Sequence, residues 1–355
     1  MINSYKGDIY LDIDKIKKEI QSFFDIGTLT IVGSGLSCAE GLPGMNAIFL
    51  YLQKKIPNSS LSSESLEVWS KISDSLAKGV GLEDALQTNE LTSDLEIKIK
   101  ENIAEFIREK ENKVLDEVLN GKRILKLTSY IKTFQILDKG LPIITTNYDR
   151  LIELASELAG IRVNTMFVGN FISKFSVKES QHNFYSNMKK AIKKTIRPEY
   201  AKKVDLYKPH GCLSWYLIEG EPYSIPYSQK NNCLIITPGV NKYKGGYHAP
   251  FDDHRQQANK RIDSADRYVI IGYGFNDDHL ETHLTSQLNR KKKFLIVTRS
   301  LSENALKLIK ENENIISLSE SENKDGTLIR WKRNQKKHLL NMNLWDIEEL
   351  IKEVF

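Results

Sequence analysis

The chain has 355 residues, of which 40% are hydrophobic and 27% charged, and carries a formal net charge of +5. Such a length is too great for one small domain and fits one large α/β domain with insertions, or two domains. No apolar run approaches the roughly 18 residues of a membrane span, and the acidic opening MINSYKGDIYLDID does not read as a signal peptide.

Asp12 is placed to cap a helix whose apolar positions, Ile13, Ile16, Ile20, Phe23 and Phe24, form one stripe that Gly27 ends. Leu29 to Val32 is short, apolar and β-branched, as a buried parallel strand is. It runs into Gly33-Ser34-Gly35-Leu36-Ser37. Glycines after a strand let the backbone turn tightly and approach a pyrophosphate, and the next helix offers unpaired N–H groups. Cys38 stands where a full G-x-G-x-x-G needs glycine, so an ordinary strand–helix turn remains the alternative. Residues 50–139 read as a helical insert, with Leu95, Ile99, Ile103 and Ile107 on one stripe and Leu127, Tyr130, Ile131, Phe134 and Leu137 on another. Ser59 to Ser65 reads as a loop.

After Gly140 and Pro142, Ile143 to Thr146 is a strand that ends in Thr145-Thr146-Asn147-Tyr148-Asp149. An amide beside a carboxylate at a strand end suits a polar ligand, or else one of the two caps the helix predicted over Tyr148 to Ala159. Ile161 to Val168 is another apolar run, followed by a basic amphipathic stretch read as a second helical insert over about 170–203. Val204 to Tyr207, Leu234 to Thr237, Tyr268 to Ile271 and Phe294 to Val297 are further strands. Lys208-Pro209-His210-Gly211-Cys212 places a histidine at a strand end, where it can act as a base or be structural. Gly272-Tyr273-Gly274-Phe275-Asn276-Asp277-Asp278 again combines glycines with acids, Asp278 and Glu281 reading as cap or ligand contact. Beyond residue 300 come a helix at 302–311, a strand at Thr327 to Trp331 and an amphipathic end, Leu344 to Phe355.

Strands alternating with helices predict an α/β fold, a doubly wound, Rossmann-like parallel sheet with helical insertions. Residues 1–300 form its nucleotide-binding domain and 301–355 an extension suited to oligomer or partner contact. Three cysteines, Cys38, Cys212 and Cys233, none paired as C-x-x-C, make neither a disulfide framework nor a four-thiolate zinc site. A reducing, cytoplasmic setting follows as the expectation. His279 and His283 are spaced i,i+4 without the glutamate of H-E-x-x-H, so no metal is expected. Basic clusters around Lys189–Arg197, Arg290–Lys293 and Arg330–Lys337 read as solvated surface, with nucleic-acid contact as the sharper alternative.

The order of these motifs resembles the sirtuin family. Its glycine-rich turn and following G-[IL]-P segment are similar to Gly33–Ser37 and Gly41-Leu42-Pro43, its Asn–Asp segment to Asn147-Tyr148-Asp149, its histidine–glycine to His210-Gly211, and its later glycine strand end to Gly272–Phe275. Gly44-Met45-Asn46 stands where the family has Asp-Phe-Arg, and the four zinc cysteines are absent. The pattern looks more like the divergent sirtuin-like NAD⁺-hydrolase domains of bacterial antiphage defence, of the HerA-associated type. That resemblance implies hydrolysis of NAD⁺ to nicotinamide and ADP-ribose, with NAD⁺ as substrate and no zinc. It implies Asn147 and His210 as catalytic residues. Gly33, Ser34, Gly35, Ser37, Asp149, Gly272, Gly274 and Thr298 would bind the dinucleotide, with Arg299 the alternative to Thr298 at the same strand end. It further implies a homo-oligomer and a HerA-type hexameric ATPase as partner, with no membrane contact. An NAD-dependent protein deacylase and a non-catalytic nucleotide sensor or scaffold are the alternatives.

Overall fold

A computed structural model describes residues 13–134, 140–190, 196–237, 248–332 and 335–355. Asp12, Leu137, Lys193, Lys194 and Arg333, which figure in the expectations above, lie outside the described residues. The chain begins with α1 (Ile13–Gln21), β1 (Thr28–Val32) and α2 (Ser34–Ala39). The helical insert follows as α3 (Met45–Lys55), α4 (Ser63–Ala77), α5 (Leu82–Gln87), α6 (Ser93–Leu119) and α7 (Lys126–Thr133). The four isoleucine and leucine positions of the α6 stripe are all buried. The expected serine loop is shorter than its composition suggests: Ser62 accepts from Ser65 N at 3.2 Å, so α4 starts at Ser63.

Next come β2 (Leu141–Thr145), α8 (Leu151–Leu158), β3 (Arg162–Asn164), β4 (Phe167–Val168), β5 (Ser173–Phe175), α9 (Val177–His182), β6 (Tyr185–Lys190), β7 (Ile196–Tyr200) and β8 (Lys203–Tyr207). Two expectations fail here. The apolar run 161–168 is divided between two sheets at Met166, whose φ is 62°. Among its described residues the basic stretch 170–203 is helical only over α9; β6 and β7 pair antiparallel instead. Pro198 cannot sit inside a helix, and Tyr185 and Tyr200 meet across the pair with ring centroids 5.1 Å apart.

The chain continues through β9 (Trp215–Ile218), β10 (Glu221–Ser224), α10 (Phe251–Ser264), β11 (Arg267–Ile271), α11 (Asp278–Asn289), β12 (Lys293–Val297), α12 (Glu303–Glu311), β13 (Ile315–Glu320), β14 (Gly326–Trp331), β15 (Gln335–Leu340) and α13 (Ile347–Val354). Leu234–Thr237 is not a sheet strand; Ile235 makes one isolated antiparallel bridge to Gly211.

Among the described residues the main sheet has nine strands in the order β15-β14-β13-β12-β11-β1-β2-β8-β3. Only β14 runs against the others, antiparallel to β13 on one side and β15 on the other. A strand covered on both faces sends alternate side chains into different cores. Val32, Ile143, Leu206, Val269 and Leu295 enter one hydrophobic cluster, with the insert, α1, α8 and α13. Ile31, Ile144, Tyr207, Ile270 and Ile296 enter the other, with α10, α11 and α12. This is why the strands read as unbroken apolar runs. The boundary expected at residue 300 falls inside the sheet, because β13 pairs with β12 and α13 returns to pack on α7 and α1.

From β1 the chain winds one way to β2 and then returns to place β11 on the other side of β1. A crevice opens beyond the carboxyl ends of strands at such a switch point. The two turns that flank it interlock. Gly33 N donates to Ile271 O and Gly35 N to Gly272 O, each at 2.9 Å. A Cβ on Gly33 would lie 2.5 Å from Gly272 O and from Tyr273 Cα. Gly33→Ala should therefore destabilise by about 1–3 kcal/mol, the usual cost of overpacking against backbone. A lower urea midpoint at unchanged m-value is the expected readout, and an unaltered midpoint would remove this account of the turn.

Candidate functional site

The β2 end is tied to the β1 turn through side chains. Thr145 Oγ1 donates to Val32 O at 2.8 Å and accepts from Asn147 N at 3.1 Å. Asn147 Nδ2 donates to Gly33 O at 2.9 Å and to Ser37 Oγ at 2.8 Å. Ser37 Oγ donates onward to Asp149 Oδ2 at 2.6 Å, and Asp149 Oδ1 accepts from Leu151 N at 3.1 Å. Asp149 thus begins α8 as well as facing the crevice. With both Nδ2 hydrogens engaged, the Asn147 amide presents its acceptor, Oδ1, to a ligand. These contacts hold residues 147–150 out of the helix, which explains why α8 starts at Leu151 and not at Tyr148.

A buried lysine lies behind this loop. Lys208 Nζ donates to Glu153 at 2.9 and 3.2 Å and to Asp149 O. Burial raises the Asp149 carboxyl above its ordinary range, with Lys208 and the Ser37 hydroxyl pulling the other way. His254 Nδ1 accepts from Lys208 N at 3.1 Å. Burial, aided by the lysine charge, holds His254 down to about 3.

His210 sits in the loop after β8. Its neighbour Gly211 has φ 89°, and a Cβ there would meet Leu234 O at 2.1 Å, so the turn takes glycine only. Ile236 N donates to His210 O at 2.9 Å and Cys212 N to Leu234 O at 3.1 Å, giving the 234–236 segment its role. His210 Nε2 lies 2.7 Å from Asp277 Oδ2. Asp277 caps α11: its Oδ1 accepts from His279 N at 3.1 Å and Leu280 N at 3.2 Å. The helix N-terminus stabilises that carboxylate, which in turn orients the imidazole. Glu281 completes the cap by accepting from Asp277 N at 2.8 Å, so the capping acids are Asp277 and Glu281, with Asp278 opening the helix.

The sequence-derived residues fall into two cavities. One, of about 210 Å³, is lined by Ser34, Ser37, Asn147, Asp149, His210 and Gly274, with Tyr273, Asn276 and Asp277 on the same wall. Leu42, Met45, Ile48, Leu82, Ile103 and Ile107 form its apolar side. The other, of about 490 Å³, is lined by Gly35, Gly272, Thr298 and Arg299, together with Lys126 and Trp345. Gly33, Gly35 and Gly272 are spent on packing turn against turn. Their amides bond Ile271 O, Gly272 O and Val297 O, respectively. Trp345 Nε1 is buried and has no acceptor among the described residues.

Asp277, Lys208 and Trp345 were not singled out in the sequence. Asp277 stands in a quoted motif, but spacing alone does not distinguish it from Asp278. Lys208 adjoins Pro209-His210, and its burial is invisible in one dimension. Cys38 is exposed and Cys212 and Cys233 are buried, all three as free thiols. Among the described residues no cluster of three or more His, Cys, Asp or Glu side chains is arranged for a metal. Of the basic clusters, Lys292 and Lys293 are engaged with Asp266 at 3.3 Å and Glu19 at 2.7 Å.

Fold and site together define a doubly wound α/β domain with a polar cavity at the carboxyl edge of its sheet, at the switch point. Residues 142–317 match the family model of the SIR2-like domain. That span contains Asn147, Asp149, His210, Gly272, Gly274 and Asp277; the β1 turn and the insert precede it. Among solved structures the chain is similar to one described as "The Structural basis of Sirtuin Substrate Affinity", at 13% identity, covering 97% of this chain and 98% of that one with a TM-score of 0.45. It is also similar to Sir2Tm bound to a propionylated peptide, at 13% identity, 95% and 96% coverage and a TM-score of 0.43. A Sir2–p53 peptide–NAD⁺ complex is similar at 12% identity, with 95% and 96% coverage and a TM-score of 0.39. Comparison with curated proteins gave no match.

The buried neutral His254 has a consequence for stability. Above pH 6.5 it is uncharged both folded and unfolded; below 6.5 the unfolded chain takes up a proton that the folded protein refuses down to about 3. Stability attached to this residue is therefore lost as pH falls through that window, by at most about 1.4 kcal/mol per pH unit. Asn keeps an acceptor for Lys208 N, so His254→Asn should show a shallower fall in urea midpoint between pH 6.5 and 4 than wild type. Superimposable profiles would contradict a neutral, buried imidazole.

Proposed function

We propose that the chain binds NAD⁺ across the switch point and hydrolyses its nicotinamide–ribose bond. The observation that carries this reading is that Asn147, Asp149 and His210, from two different strand ends, line one cavity. The match to the SIR2-like domain supports NAD-dependent chemistry at this place. The nicotinamide–ribose half occupies the smaller cavity. The adenosine half occupies the larger one, where Thr298 and Arg299 lie at the rim. Ser34 and Gly274 lie along the smaller cavity, on the path of the linking phosphates.

In the reaction the C1′–N bond breaks, its electron pair neutralises the pyridinium nitrogen, and nicotinamide leaves. Positive charge builds on the ribose, as in glycoside cleavage. The Asn147 Oδ1 acceptor holds the ribose hydroxyl or the attacking water. Asp149 accepts from the nicotinamide carboxamide. His210, steadied by Asp277, takes the proton of the water whose oxygen bonds C1′, giving ADP-ribose. A positioned base is worth about 10²–10⁴ in rate. By the resemblance in sequence, this hydrolysis depletes NAD⁺ in antiphage defence, held in check by oligomerisation or a HerA-type ATPase.

Purified protein given NAD⁺ alone should release nicotinamide without any acyl-peptide. Asn147→Ala and His210→Ala should each abolish that release while keeping the fold. Full release by both variants would refute the assignment, and release only with acyl-peptide would favour a deacylase.

A further inference from the structure

One face of the inserted helix α6 points at the cavity and at both loops that carry its polar groups. Ile103 and Ile107 are in the cavity wall. Arg108 and Glu111 follow at helical spacing on the same side and are each 3% exposed. Arg108 Nη2 donates to Leu213 O at 3.0 Å and to Tyr216 Oη at 3.2 Å, and its Nη1 donates to Asn231 Oδ1. Leu213 lies three residues beyond His210, and its own N donates to Tyr148 O at 3.0 Å. Glu111 accepts from the Arg150 backbone N, from Arg150 Nε at 2.9 Å and from Arg150 Nη2. Arg150 adjoins Asp149. Two buried charges on one helix thus grip one backbone atom in each of the two site loops, and those loops bond each other between the grips.

A structural staple alone does not need this arrangement. Leu95, Ile99, Ala104 and Val114 already bury α6 in the core. A buried ion pair gives little net stability once its desolvation is counted, and serves better to fix one geometry. Effective catalysis requires such fixing, since a misplacement of about 1 Å costs about 10²-fold in rate.

From these contacts we infer that Glu111 and Arg108 are positioning residues for the hydrolysis, setting the Asn147–Asp149 loop and the His210 loop at their working separation. The inference rests on the smaller cavity being the nicotinamide–ribose site. It makes the helical insert part of the catalytic apparatus.

The test is steady-state nicotinamide release from NAD⁺ by Glu111→Gln, whose Oε1 still accepts from Arg150 N but whose charge is gone. The expected result is a fall in kcat of about 10–100-fold with KM within about threefold of wild type, measured at a temperature where the variant, destabilised by its unpaired Arg150, is still fully folded. Arg108→Lys keeps the charge, loses the guanidinium fork and should show the same split. Glu105→Gln, on α6 in an exposed pair with Lys55 at 3.3 Å, should keep wild-type kcat. Wild-type kcat in both Glu111→Gln and Arg108→Lys, or losses that only track unfolding, would overturn the positioning role while leaving the hydrolase reading standing. No release by the wild-type protein would overturn both.

Discussion

At the middle of the sheet two backbone turns touch without side chains between them. Gly33 and Gly35 after β1 meet Gly272 after β11, which has φ 57° and no room for a Cβ beside Leu36 N at 2.6 Å. That contact fixes where α2 starts. The start of α2 places Ser37, and Ser37 places both Asn147 and Asp149 by accepting from one and donating to the other. The polar edge of the crevice is therefore built outward from a steric fit between glycines.

Around that edge three pairings anchor the loops: Lys208 with Glu153 and Arg150 with Glu111 as ion pairs, and the His210 imidazole with Asp277 as a hydrogen bond. In a weakly polar interior such pairs exert stronger and more directional forces than they would in water, and each leaves a costly orphan if broken. All three lie at loops following β2 or β8, or at the helix starts those loops face. The result is a preorganised set of donors and acceptors of the kind that stabilises developing charge without first rearranging.

Much of the fold was legible in the sequence because strands buried on both faces must be apolar throughout and helices buried on one face must be striped. β1, β2, β8, β11 and β12 and the stripes of α6 and α7 were read from that rule. It failed where local pattern and tertiary pairing disagree. Leu234–Thr237 is apolar like a strand but serves to pin the His210 loop, and the basic stretch before β8 pairs as strands around Pro198. That the tail joins the sheet was not legible, because β13 and β15 carry polar residues among their apolar ones.

By itself, the sequence determined which strand ends carry polar groups and glycines: an amide and a carboxylate after β2, an imidazole after β8, and glycines after β1 and β11. These were readable because polar side chains and glycines at strand ends break the apolar run. Only the tertiary structure decided how they combine. It placed Asn147, Asp149, His210 and Gly274 on one cavity and Gly35, Gly272 and Thr298 on another, gave His210 its partner in Asp277 and brought Trp345 to the second cavity. It also set Glu111 and Arg108 against both loops. Those relations join residues far apart in the chain through burial and direction, and neither quantity is written in one-dimensional spacing.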